Sequence, residues 1–138
     1  MSYSITYQIR PDYLHAIATG ECTKENLAGY VIEIISKCSE NKTKRLFIEQ
    51  RLKGPRLGTE DVYQVMTKLC TYADGLFEAV AYVDVYAEDI INTRYGESIA
   101  NSRNIPFKVF FDVTAAEDWL KDNLSRTNLP PPRSCPLP

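Results

Sequence analysis

Arg45-Leu46-Phe47-Ile48-Glu49 decides the fold. Three bulky apolar residues stand in a row, with the polar break Asn41-Lys42-Thr43-Lys44 before them and Gly54-Pro55 after them. A run that short and apolar reads as a central strand buried on both faces. A loop from Gln50 to Gly58 follows, hinged at Gly54-Pro55. Thr59, with Glu60-Asp61 behind it, marks a helix start: the hydroxyl caps, and the acids face the positive end of the helix dipole. Val62, Val65, Met66 and Leu69 form the apolar stripe of that helix, and Gly75 closes it. Residues 77–85, Phe-Glu-Ala-Val-Ala-Tyr-Val-Asp-Val, are a second strand of the buried type. Strand, helix and strand in this order predict a parallel βαβ unit.

Upstream, Ile5-Thr6-Tyr7-Gln8-Ile9 alternates, and its residue types favour a strand. Pro11-Asp12 is a turn signal, and residues 13–19 form a second strand ending at Gly20, so the pair is an antiparallel hairpin. Thr23 is the predicted N-cap of a helix over Lys24 to Glu40, with Leu27, Val31, Ile34, Ile35 and Cys38 inward and a Glu33–Lys37 pair outside. Downstream, the predicted elements are a helix from Glu88 to Ser102, a strand from Phe107 to Phe111, and a last helix capped by Thr114 with Ala115, Ala116, Trp119 and Leu120. The order β-β-α-β-α-β-α-β-α predicts an α/β fold, a mostly parallel sheet with one antiparallel strand and flanking helices.

The 138 residues fit one domain. Residues 1–124 read as that domain, with 14 basic against 18 acidic residues. Ser125 to Pro138 holds five of the eight prolines and reads as a flexible tail. Within it, Leu129-Pro130-Pro131-Pro132-Arg133 is either a polyproline-type ligand or a plain solvated segment. A net charge of −2 argues against a nucleic-acid partner. No run approaches the ~18 apolar residues of a membrane span. The first residues have neither a basic nor an apolar signal region, which predicts a cytoplasmic protein with reduced thiols.

Catalytic signatures are missing from the sequence. Cys22, Cys38, Cys70 and Cys135 are dispersed and His15 is the only histidine, so no metal or cofactor is predicted. His15 reads as structural, on the strand face of Tyr13 and Ile17. Glu88 and Asp89 fit a helix start, and Glu97 fits a tie to Arg94 or Arg103. The expectation is a protein that is not an enzyme. Nine tyrosines suit a contact surface.

Three segments carry a family resemblance: Phe107-Lys108-Val109-Phe110-Phe111-Asp112 with Ala115-Ala116-Glu117-Asp118-Trp119-Leu120, Ala79-Val80-Ala81-Tyr82-Val83, and Arg94-Tyr95-Gly96-Glu97 with Ala100-Asn101-Ser102-Arg103. Together with the element order, they make residues 3–124 resemble the STAS domain superfamily, and within it the bacterial SpoIIAA-like, STAS/SEC14-type proteins. In the anti-sigma-factor antagonists of that superfamily, a strand enters a D-S-S-G-like loop whose serine is phosphorylated. Here the matching stretch is Glu49 to Thr59, and no Asp-Ser pair follows Glu49. Thr59 is the one hydroxyl of that stretch, the candidate phosphorylation site if it does more than cap the helix. The SEC14-type branch implies a lipid or another anionic amphiphile as ligand.

The residues themselves leave two readings of this loop. Arg51, Lys53 and Arg56, with Gly54, Gly58 and Thr59, form an anion or partner site beyond the carboxyl end of a central strand, or they simply solubilise it. The expected function is a non-enzymatic interaction or regulatory module, self-associating as a homodimer. The alternative is a protein that binds a small ligand or lipid through residues 50–59. The first predicts a filled core, the second an apolar cavity of about 300 Å³ or more beneath the loop.

Overall fold

The computed structural model describes residues 3–87 and 91–128. The elements run β1 (Tyr3–Ile9), β2 (Leu14–Glu21), α1 (Lys24–Asn41), β3 (Arg45–Lys53), α2 (Thr59–Ala73), β4 (Ala79–Asp84), α3 (Ile91–Ser102), β5 (Phe107–Phe110) and α4 (Val113–Asn128). The five strands lie side by side in sequence order. β1 pairs antiparallel with β2, and every later pair is parallel. The element order and the mixed sheet are those the sequence predicts.

Period-2 alternation sends each strand's side chains to two different layers. Leu14, Ala16 and Ala18 of β2, Leu46, Ile48 and Leu52 of β3, and Val80 of β4 face one side. There they meet Tyr30, Val31 and Ile34 of α1, Val65 and Leu69 of α2, and Ile99 and Ala100 of α3. On the other side Phe47, Ala79, Ala81 and Val83 meet Tyr13 and, from α4, Ala116 and Leu120. Small residues on β4 let that helix sit close. Arg45, buried, holds it in place by donating to the Leu120 carbonyl at 2.7 Å, and Tyr13 donates to Glu117 at 3.1 Å.

Local chemistry fixes the helix ends. The Thr23 hydroxyl accepts from the Asn26 N–H at 3.0 Å, the N-cap read from the sequence. α1 ends on Lys42 in the left-handed region, with its N–H turned to the Cys38 and Ser39 carbonyls. Two predicted caps shift by one or two residues. Gly58 caps α2, so Thr59 is its first helical residue. Asp112, accepting from the Ala115 N–H at 2.8 Å, does the work expected of Thr114. Glu97 accepts from the Val109 N–H at 2.8 Å, satisfying a donor on the outer edge of β5. The Glu33–Lys37 pair is drawn to β1 instead: Glu33 accepts from the Tyr3 hydroxyl, and the Lys37 ammonium stands over the Tyr7 ring.

The last helix continues to Asn128, four residues beyond the boundary read from composition. The proline-rich stretch 129–138, with Cys135, lies outside the described residues, as do Glu88 and Asp89.

Candidate functional site

The main correction to the sequence reading concerns residues 50–53. They are not loop: β3 runs on to Lys53, and it pairs with β2 as far as Glu21. Alternation therefore splits the basic cluster. Leu52 and Gln50 point to the three-helix side, while Arg51 and Lys53 point to the opposite one. Arg51 lies against Glu49 at 2.6 Å, and Lys53 is exposed. Buried Glu49 also bonds His15 Nε2 at 2.8 Å, and the His15 ring stacks on Phe47 with 4.4 Å between centroids. That histidine is therefore buried.

Arg56 alone of the three turns inward, and Gly54 makes this geometrically possible. Its φ of 105° lies in the region that favours glycine, so the chain folds back at once after the strand. Both Arg56 terminal nitrogens are then engaged. Nη1 reaches both Asp84 oxygens at 2.7 Å, and Nη2 donates to the carbonyls of Leu52 and, at 2.9 Å, Gly54. Nε donates to Gly54 O at 3.3 Å. Burial lowers the affinity of Arg56 for its proton, but the Asp84 pairing outweighs this and leaves the pKa raised.

Beneath this latch lies a cavity of about 400 Å³, bounded by β3 and β4 below and α1, α2 and α3 above. Its walls are apolar: Val31, Ile48, Val62, Met66, Leu69 and Val80 are representative. Pro55, in the 54–58 turn, both lines it and is exposed.

One end is polar, formed by Gln50, Tyr82, Asp84, Arg56 and Cys22. Tyr30 donates its hydroxyl hydrogen to Gln50 Oε1 at 2.5 Å. The Tyr82 hydroxyl lies close to that of Tyr30. Burial, with nearby negative charge adding to it, holds both phenols well above their ordinary value. Burial likewise raises the Cys22 thiol, and Arg56 offsets part of this. At neutral pH the polar end therefore presents neutral hydroxyls, a neutral thiol, a carboxamide and one internally balanced ion pair.

Sequence reasoning located the loop and missed this constellation. The signal was there in part. In Leu46-x-Ile48-x-Gln50-x-Leu52 and Val80-x-Tyr82-x-Asp84, polar residues fall on the inward phase of two central strands. A buried polar residue in an apolar row needs a partner or a purpose. The tyrosines do not form one patch. Tyr63 and Tyr72, both exposed, are nine residues apart on α2, about two and a half turns, and so point to opposite sides. No group of three or more histidines, cysteines or carboxylates able to hold a metal occurs among the described residues. No described helix is long and apolar enough to cross a membrane.

No protein-family model matches the sequence. No curated protein matches it. Among solved structures, the chain is similar to an uncharacterized protein of the DUF3478 family with a SpoIIAA-like fold, from Shewanella loihica PV-4. The two share 22% identity, with 86% of this chain and 93% of the other covered and a TM-score of 0.53. The likeness is one of fold: the chain has a SpoIIAA-like α/β fold.

Proposed function

We propose that this domain is a non-enzymatic binding protein for a small, largely apolar molecule, held between the sheet and helices α1 to α3. The observation that supports this reading is the 400 Å³ apolar cavity with a polar group at one end. It falls within the ~300–1,000 Å³ range of small-molecule sites and has their usual composition. An interaction module needs no such volume in its core. Catalysis is not assigned to the site because each charged group in its wall is already committed. Asp84 and Arg56 bind each other, and Cys22 remains a thiol.

The test is native mass spectrometry of the purified chain, followed by titration with an uncharged solvatochromic dye. One dye per chain is expected. Val80→Phe, which puts a ring into the middle of the cavity floor, is expected to abolish binding while the chain stays folded. Unchanged dye binding in that variant would refute the reading.

A further inference from the structure

We propose that the ligand is an uncharged molecule with a hydrogen-bond-accepting oxygen, of the ketone or ester class, whose oxygen is taken by the Gln50 carboxamide nitrogen. This rests on the binding role proposed above and specifies its chemistry. It also departs from the anionic amphiphile that the family resemblance implies.

The argument begins with what the polar end has left to offer. A guanidinium has five N–H donors. Those of Arg56 all have acceptors: two go to Asp84, two from Nη2 to backbone carbonyls, and one from Nε to Gly54 O. An incoming carboxylate would have to take Arg56 from Asp84, and would leave that carboxylate bare in the same wall. Asp84's side chain is only 7% exposed, so it would sit unpaired in a poorly solvated place beside a second negative charge. Arg51 and Lys53, the other cations of this segment, project from the far face of the sheet. Among the described residues, these cations leave no side-chain positive charge at this end of the cavity to compensate an anion.

Gln50 differs. It is 2% exposed, lies on the inward phase of β3 and lines the cavity. Its Oε1 is occupied by the Tyr30 hydroxyl, which fixes the orientation of the carboxamide. Among the described residues its Nε2 has no hydrogen-bond partner. Gln50 lines the cavity, so an amide nitrogen without a protein acceptor is open to it, and an oxygen brought by a ligand supplies the missing acceptor. Donors left over and no spare positive charge select a neutral acceptor.

Three molecules of equal chain length decide this with the full chain: methyl nonyl ketone, undecane and undecanoate. Calorimetry at about pH 8 keeps the acid ionised. The ketone is expected to bind about tenfold more tightly than undecane, one net hydrogen bond's worth, and undecanoate more weakly than either. The double variant Tyr30→Phe, Gln50→Leu removes donor and acceptor together, which avoids stranding either. It is expected to erase the ketone's advantage while undecane still binds. Undecanoate binding more tightly than the ketone would overturn the assignment of a neutral ligand. A ketone no tighter than undecane would overturn the role of Gln50. Failure of all three to bind, undecane included, would instead overturn the cavity-binding role itself.

Discussion

Cutting the Arg56–Asp84 latch is the most direct test of how the cavity end is built. Side-chain exposure is 20% for Arg56 and 7% for Asp84, so the pair lies between surface and interior. Removing one partner of a buried pair costs about 3–5 kcal/mol, mostly because the other charge is stranded. The residual exposure of Arg56 places Arg56→Met near the lower end, about 3 kcal/mol. Asp84→Asn costs less, about 1 kcal/mol, because the amide oxygen still accepts and Arg56 keeps its bonds to Leu52 and Gly54. The double variant leaves no stranded charge, and about 2 kcal/mol is expected rather than the ~4 kcal/mol that independent effects would give. Urea unfolding followed by tyrosine and tryptophan fluorescence reads all four proteins, with a constant denaturant slope as the check that the unfolded states match. Effects that add within ~0.5 kcal/mol would refute the latch, since additivity means that neither group feels the other.

Three further outcomes follow from the packing. Leu120→Ala on α4, at a fully buried site, is expected to cost about 3 kcal/mol by urea unfolding, and a loss under ~1 kcal/mol would mean that α4 does not seal its face of the sheet. Gly96→Ala places its methyl 3.4 Å from Met66 Cγ, an ordinary contact in the middle of α3. The helix gains about 1 kcal/mol and Tm rises by about 3 °C in a thermal scan, whereas a fall would show the α2–α3 contact to be tighter than this. Burial pushes the Cys38 thiol from 9.0 to about 12, so the folded chain keeps a proton that the unfolded chain releases. That contribution is whole below about pH 9 and is lost as pH climbs toward 12, up to ~4 kcal/mol, and Cys38→Ala is expected to flatten the alkaline limb of a stability–pH curve.

Periodicity made the architecture legible. Leu27, Val31, Ile34 and Cys38 announce a helix, Ala79 to Val83 a buried strand, and the alternation of the two types leaves few topologies. Charge hid the rest. Gln50-Arg51-Leu52-Lys53 has the strand period, but its three polar side chains look like loop composition, so the last four residues of β3 went unread. With them went the fact that Arg51 and Arg56 serve opposite faces. Thr59 outranks Gly58 as a cap on preference alone, and the structure uses Gly58 because the turn after Gly54 delivers the chain to α2 one residue earlier. The cavity had no sequence signature. Its walls include Ile48, Val80 and residues of α2, and residue volumes in one strand do not reveal what opposes them.

The lone position of α4 has a consequence during synthesis. Among the described elements, this helix leaves the ribosome last, and no other element covers Phe47, Ala79, Ala81 and Val83. Until residues 113–120 emerge, the nascent chain presents a finished mixed sheet with one greasy side bare, a surface that chaperones hold and neighbouring polysomal chains aggregate upon.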